Sequence, residues 1–336
     1  MFSRRTLWLA FLLAGCGLLR ATAGGPDGAV PEAGRRLRVL TTIPPLHSWT
    51  AQVAGDLAEV ENLLPGNVGP HEFQFRPRDL EKLRRADLII ANGLGLEAWL
   101  EKAIHNNARQ AAQRVVRTSA GLESQLIHHL PVFPVDAPGS PAAREPAPAK
   151  GQDPDHDHDH DHDHAGEAGN PHVWLDPVFA RHGVTNILRA LQQADPARAA
   201  GYARQAERYL EVLRQLDADF AQWSRQAGNR RLVTYHDAFP YFSRRYQLEL
   251  VGVVQEVAGV EPSPKYLAAL SRAIRREQVA AIFTEPQFNP RLVRRLSEDL
   301  KIPVAELDVL ETGKPSADFY EAGMRRNLAV LRKTLR

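Results

Sequence analysis

Cysteine is nearly absent from this chain of 336 residues, which contains a single one, Cys16. One cysteine cannot form a disulfide within the chain, so the fold must rest on its hydrophobic cores and on any metal that it binds. Hydrophobic residues make up 43% of the chain and charged residues 24%, which is ordinary for a globular protein and excludes a largely disordered one.

Long apolar runs are also missing, except near the N-terminus. Two arginines there precede the nearly apolar stretch 6–19, which is typical of a secretory signal peptide and is too short for a clear transmembrane span. We assign residues 1–23 as an export signal. Two cleavage sites remain open: Leu13-Ala14-Gly15-Cys16 has the spacing of a lipobox, whereas Ala21-Thr22-Ala23 suits ordinary signal peptidase. The protein is expected to be periplasmic, with a lipid on Cys16 as its only contact with a membrane.

The chain also lacks an excess of charge of either sign. The formal net charge is +2, and cleavage after Ala23 removes three arginines and leaves −1. A nearly neutral protein has no electrostatic attraction to nucleic acid, so a nucleic-acid partner is not expected. We expect a monomer.

Short β-branched runs alternate with helical patterns on both sides of a Pro-, Ala- and Gly-rich insert at residues 134–169. This alternation predicts an α/β fold of two lobes, each with a mostly parallel sheet flanked by helices. The predicted lobes are 36–195, which contains the insert, and 229–336. The predicted strands are 37–43, 58–64, 87–91, 114–117, 231–234, 248–254, 280–284 and 304–307.

The longest helical pattern joins the two lobes at residues 196–228. Apolar residues recur there every three or four positions, with Pro196 near the start and Gly228 just past the end. The recurring residues are Tyr202, Ala206, Tyr209, Leu213, Leu216, Phe220 and Trp223. A helix of this length is either a rigid connection between the lobes or a surface helix of the second lobe.

The insert contains the most unusual segment of the chain, in which Asp-His occurs five times in succession from Asp155 to His164. Histidine is the commonest ligand of borderline metals, but a segment without apolar residues cannot fold around an ion. We interpret the run as a flexible auxiliary metal collector rather than a solvated linker or a tag. Its candidate ligands are His156, His158, His160, His162 and His164.

Three of the other eight histidines lie in stiff segments next to strand or turn patterns. His71 follows a turn with two prolines, His172 is bracketed by Pro171 and Pro177, and His236 follows the strand 231–234. Ligands of open α/β sheets collect at the carboxyl ends of strands, so these imidazoles can converge on one ion, although each could instead satisfy only its own loop.

A fourth metal ligand is expected at Asp308, which directly follows the last predicted strand. Three neutral imidazoles and one carboxylate form a tetrahedral set that favours Zn²⁺ over Mn²⁺ or Mg²⁺. Glu285 and Glu72 are reserve carboxylates, and water is a further alternative for the fourth position.

Several motifs resemble the metal-binding solute receptors of bacterial ABC importers, and most closely their zinc-uptake, ZnuA-like branch. The resemblance extends from about Arg36 to the C-terminus, and the motifs occur in the order that the family has. They are Pro70-His71-Glu72-Phe73, Asn92-Gly93-Leu94-Gly95-Leu96-Glu97, Asn170-Pro171-His172-Val173-Trp174-Leu175-Asp176-Pro177, His236-Asp237-Ala238-Phe239, Glu261-Pro262-Ser263-Pro264-Lys265 and Phe283-Thr284-Glu285-Pro286-Gln287-Phe288.

This resemblance implies two lobes joined by one rigid helix, with metal bound between them by His71, His172, His236 and Asp308. Manganese-type relatives tend to carry glutamate at the position of His236. Some zinc members place a glutamate where this chain has Pro70, and others carry a disulfide in the second lobe, for which this chain lacks the cysteines.

The function that the resemblance implies is a receptor that captures Zn²⁺ outside the cytoplasm and delivers it to an ABC permease with its ATPase subunit. A carboxylate as fourth ligand leaves no position for an activated water, so an enzyme is not expected. The alternatives are a manganese-type receptor, an adhesin or zinc store of the same fold, and a zinc hydrolase. The hydrolase would need a His-Glu helix motif of the kind that supplies ligands and base together, which was not found near these histidines.

Overall fold

The computed structural model describes residues 35–107, 115–128, 169–255 and 260–336, which form two α/β lobes. The predicted fold class is thereby confirmed. The export signal with Cys16 and the Asp-His run lie outside the described residues, as does nearly all of the insert. None of the helices within the described ranges is long and apolar enough to cross a bilayer.

The first lobe contains a parallel sheet in the order β2-β1-β3-β4. Its strands are β1 (Leu37–Thr41), β2 (Ala58–Asn62), β3 (Leu88–Ala91) and β4 (Val115–Arg117), and its helices are α1 (Pro44–Ala54), α2 (Pro77–Arg85) and α3 (Ala98–Asn107). All four residues of the central strand β3 are buried, because helices cover both faces of a parallel sheet.

Two helices follow the insert, α4 (Pro177–Ala194) and α5 (Ala199–Gln226). Helix α5 has 28 residues, which corresponds to ~42 Å. It begins three residues later than predicted because Pro196–Arg198 form a separate 3₁₀ turn. Every residue of the predicted apolar stripe is buried in the structure.

The second lobe repeats this arrangement with a parallel sheet in the order β6-β5-β7-β8. Its strands are β5 (Arg231–Thr234), β6 (Glu249–Val253), β7 (Ala281–Thr284) and β8 (Val304–Glu306), and its helices are α6 (Pro240–Tyr246), α7 (Pro264–Arg276), α8 (Arg291–Leu300) and α9 (Phe319–Thr334). The loops that leave the carboxyl ends of these strands face the first lobe and carry the candidate ligands.

Helix α5 packs against both lobes and so acts as the rigid connection. The side chain of Gln205 donates to the Ala54 carbonyl of the first lobe, and Phe220 packs on Phe242 and Tyr246 of the second. One hydrophobic cluster runs from β1 through α5 to α9. A continuous core of this kind resists independent movement of the two lobes.

Candidate metal site

His71 lies in the loop between β2 and α2, at the mouth of the cleft between the lobes. The Trp99 indole donates to the Pro70 carbonyl at 3.2 Å, and Phe73 packs edge-on against the same ring at 4.6 Å. These contacts hold the loop against α3. The His71 side chain is 28% exposed, which makes it the most accessible of the candidate ligands.

His172 is held by its neighbour Asn170. The side-chain oxygen of Asn170 lies 2.9 Å from His172 Nδ1 and 3.0 Å from its backbone nitrogen, while the Asn170 amide nitrogen donates to the Asp237 carbonyl. These hydrogen bonds fix the orientation of the Asn170 amide, with its oxygen next to His172 Nδ1. Because that oxygen can only accept, Nδ1 carries the hydrogen. The lone pair of the imidazole is therefore on Nε2, which points into the cleft.

His236 follows β5 and is held by a carboxylate. Its Nδ1 donates to Glu285 Oε1 at 2.6 Å, and its backbone nitrogen donates to the same oxygen at 3.2 Å. Glu285 directly follows β7, the strand beside β5, which is why the two side chains meet. His236 also presents Nε2 to the cleft, at 3.2 Å from Nε2 of His172.

The carboxylate that joins these imidazoles is Glu311, and the expected Asp308 lies outside the cluster. Asp308 accepts the Leu310 backbone N–H and lies 3.9 Å from Arg326, so it stabilises its own turn. That turn carries the chain onward to Glu311, which is 3% exposed. The structure therefore does not bring Asp308 together with the three histidines.

The sequence pattern did not indicate Glu311, because this residue lies five positions past β8 and is next to none of the candidate histidines. Leu310 adopts a left-handed backbone with φ 63°, and the indole of Trp174 donates to the Val309 carbonyl at 2.8 Å. The sequence feature that could have indicated Glu311 is its position between the apolar pair Val309-Leu310 and a Thr-Gly turn.

The four ligand atoms lie within 4.8 Å of one another, and four of the six distances between them are 3.2–3.4 Å. His71 Nε2 is 3.4 Å from both His172 Nε2 and Glu311 Oε1, and His172 Nε2 is 3.2 Å from both His236 Nε2 and Glu311 Oε1. Ligands at ~2.0–2.1 Å from a tetrahedral Zn²⁺ are separated by ~3.3–3.4 Å. The residues present therefore fit a zinc-sized ion.

The electrostatics of the cluster also suit a cation. Burial lowers the pKa of His172 to about 4, so this imidazole is neutral at pH 7. Burial alone would lower the pKa of His236, but the carboxylates of Glu285 and Glu311 raise it to about 9. Burial would raise the pKa of Glu311, but hydrogen bonds and charge interactions with the imidazoles hold it well below its usual range.

Glu311 Oε1 is buried, and its neighbours include the ring nitrogens His172 Nε2 at 3.2 Å and His71 Nε2 at 3.4 Å. It shares a small volume with the Nε2 lone pair of His172 and with Nε2 of His71 and His236. Acceptors placed this close together without a donor repel one another unless a proton or a metal cation lies between them. The chemistry of the cluster is therefore that of cation binding.

The two reserve carboxylates have different positions. Glu285 is buried behind His236 and is not part of the converging set, whereas Glu72 is exposed beside the Gly69 backbone at the mouth of the cleft. The five histidines of the Asp-His run lie outside the described residues.

Comparison with known proteins identifies the family. The profile of the family described as zinc-uptake complex component A, periplasmic (ZnuA), matches residues 39–334. The chain belongs to this family. It is therefore a zinc-binding receptor for metal import and not an enzyme, which confirms the predicted function and argues against the hydrolase, manganese and adhesin alternatives.

Individual relatives agree with this assignment. The chain is 29% identical to the high-affinity zinc uptake system protein ZnuA of Bacillus subtilis, over 97% of this chain and 96% of that protein. It is 28% identical to the zinc-binding lipoprotein AdcA of Streptococcus pneumoniae, over 90% of this chain but only 56% of that longer protein. Its fold matches the solute-binding protein FpvC of Pseudomonas aeruginosa, solved with Mn²⁺, with a TM-score of 0.72, 26% identity and coverage of 90% and 98%.

Proposed function

We propose that the chain binds one Zn²⁺ between its lobes through His71, His172, His236 and Glu311. The observation that carries this proposal is the convergence of the four ligand atoms within 4.8 Å of one another, each supplied by a different segment of the chain. Three imidazoles and a carboxylate form a borderline donor set that suits Zn²⁺ better than Mn²⁺. With four protein ligands the ion has no open position for an activated water.

Receptors of this family work with an ABC importer outside the cytoplasm. We further propose that this chain passes Zn²⁺ to a permease powered by its own ATPase subunit, and that it is anchored by a lipid on Cys16 when the lipobox is used. A monomer is consistent with the surface: Val260 is the only large apolar side chain that is exposed among the described residues.

The Asp-His run is proposed as an auxiliary collector of zinc for this site. Ile127 lies before the insert and Asn170 after it, and the Asn170 backbone nitrogen donates to the Ile127 carbonyl at 2.7 Å. The described residues that flank the insert therefore meet two residues from His172. An ion held weakly by the run would be concentrated next to the cleft.

Metal analysis and titration test the main proposal. Protein purified without added metal should contain zinc, and stripped protein should bind one Zn²⁺ more tightly than Mn²⁺. Replacing His71, His172 or His236 by alanine should weaken binding by more than ~10²-fold, because loss of a ligand costs more than loss of an outer partner. A variant that keeps wild-type affinity would show that its residue is not a ligand.

Transport is tested separately by growth. Deletion of the gene should prevent growth under zinc limitation, and the wild-type gene should restore it, whereas the alanine variants should not. Unimpaired growth of the deletion strain would contradict a role in zinc import.

A further inference from the structure

Glu285 is fully engaged with the site although it is not one of the converging ligands. Its Oε1 accepts both N–H groups of His236, and its Oε2 accepts the side-chain amide of Gln287 at 2.9 Å. The side chain is 2% exposed. A carboxylate so deeply buried requires compensation by a positive charge or by several donors, and here most of that compensation comes from His236.

The candidate ligands His172 and His236 differ in the group that accepts from Nδ1, the ring nitrogen that faces away from the cleft. His172 Nδ1 faces the neutral amide oxygen of Asn170, whereas His236 Nδ1 faces a carboxylate. Both partners fix the ring so that Nε2 points into the cleft, but only Glu285 also adds negative charge. A carboxylate that accepts the second N–H of a ligand histidine makes that imidazole a stronger electron donor to the metal.

We infer that Glu285 is a positioning residue that orients His236 and completes the charge balance of the zinc site. The inference rests on the proposed function, because it requires His236 to bind the ion through Nε2.

Charge counting supports this role. Three neutral imidazoles and Glu311 supply one negative charge, so a divalent cation would leave one uncompensated positive charge. It would lie among three residues that are only 3–7% exposed, His172, His236 and Glu311. Glu285 supplies the missing negative charge through the His236 ring. Burial of an unbalanced charge is costly, so loss of this carboxylate should be felt as weaker zinc binding.

The test is the variant Glu285→Gln in the full chain. The glutamine oxygen can still accept from His236 Nδ1. Gln287 can rotate its amide, whose Oε1 has no hydrogen-bond partner among the described residues, to accept from the new N–H₂. The change therefore removes the charge and keeps the shape. The metal-free variant and the metal-free wild type should each compete with a chelator for Zn²⁺. The variant should bind Zn²⁺ ~10- to 100-fold more weakly than the wild type.

A second readout distinguishes positioning from a general structural effect. In the zinc-loaded wild type, imidazole NMR should detect the His236 Nδ1 proton far downfield, because it is shared with a carboxylate at a short distance. In Glu285→Gln this resonance should move upfield, while the Nδ1 proton of His172 should keep its position.

Glu97→Gln is the matched control. Glu97 is a buried carboxylate of the first lobe, 4% exposed, which accepts from Thr42 and from the backbone of Asn92 and Gly93. This control should lose thermal stability while its zinc affinity stays within about twofold of wild type, because its hydrogen bonds go to Thr42, Asn92 and Gly93 and to none of the candidate ligands.

Three outcomes would overturn the inference. The first is wild-type zinc affinity in Glu285→Gln, and the second is an unshifted His236 Nδ1 resonance. The third is an equal loss of zinc affinity in Glu97→Gln, which would make the effect one of general stability. In each case the wild-type protein would still bind zinc, whereas failure of the wild type to bind zinc would reject the proposed function itself.

Discussion

At the scale of single residues, the site depends on which ring nitrogen of each histidine is free. His172 and His236 donate from Nδ1 to Asn170 and Glu285, so that Nε2 of both rings is directed to the same point as Glu311 Oε1. A donor set with its lone pairs already oriented binds a cation without the cost of ordering the rings.

Glu311 and Asp308 can be distinguished by matched amide substitutions. Glu311→Gln should weaken zinc binding by more than ~10²-fold, because it replaces a charged ligand by a neutral one at the centre of the site. Asp308→Asn keeps the oxygen that accepts the Leu310 N–H and should leave zinc affinity nearly unchanged. Calorimetric titration of both variants measures the difference. Weaker binding in Asp308→Asn alone would restore the original assignment.

Zinc binding should also displace a proton at neutral pH. The pKa of His236 is about 9 without metal, so its Nε2 is protonated at pH 7 and must lose that proton to bind zinc. Affinity should therefore rise with pH up to about 9 and fall as the pH drops below it. Titration calorimetry at pH 7 in buffers with different ionisation enthalpies should detect at least one released proton. A binding enthalpy that is independent of the buffer would contradict this expectation.

At the scale of loops and helices, two loops from different lobes hold the ligands at the correct separation. The Gly313 backbone nitrogen donates to the Gly66 carbonyl at 2.7 Å, and a Cβ on Gly66 would lie 2.4 Å from the Gly313 carbonyl oxygen. Gly66 belongs to the loop that carries His71, and Gly313 belongs to the loop that carries Glu311. Glycine at position 66 thus allows the two backbones to approach closely.

Gly66→Ala should separate these loops and weaken both the fold and the site. The added methyl group overpacks the contact, which should cost ~1–3 kcal/mol of unfolding free energy, and zinc affinity should fall with it. Gly228→Ala is the control, since its Cβ would also lie 2.4 Å from a backbone oxygen, that of Arg336, which does not belong to the ligand loops. Thermal unfolding and zinc titration should show lost stability in both variants but weaker binding only in Gly66→Ala. Equal zinc affinities in the two variants would refute the role of this contact.

At the scale of the whole molecule, the two lobes share one core through α5 and α9. The Ser48 hydroxyl of the first lobe donates to the Ala317 carbonyl and accepts from the Tyr320 backbone, and Trp49 packs edge-on against Tyr320 at 5.2 Å. The last helix of the chain therefore returns to the first lobe. This shared core should confine changes on zinc binding and release to the loops at the mouth, where His71 is the most exposed of the four candidate ligands.

The auxiliary run is tested by deleting residues 154–164. The deletion should leave one tightly bound zinc per protein, because its candidate ligands lie elsewhere in the chain, and it should remove weaker additional equivalents. Zinc titration with a chelator of intermediate affinity measures both classes of site. Retention of the weak equivalents would show that the run does not bind zinc.

The sequence by itself determined the two α/β lobes, the buried stripe of α5 and the three candidate histidines. These features depend on local pattern: apolar periodicity follows the geometry of helix and strand, and a histidine next to a strand end is recognised without knowledge of its neighbours.

Only the tertiary structure decided which carboxylate joins the histidines and which one supports them. Glu311 reaches the cluster because the left-handed Leu310 and the contact between Trp174 and Val309 direct its loop. Glu285 meets His236 because β5 and β7 are neighbours in the sheet. Both relations join residues far apart in the chain, and such proximity is fixed by packing and strand order rather than by spacing along the sequence.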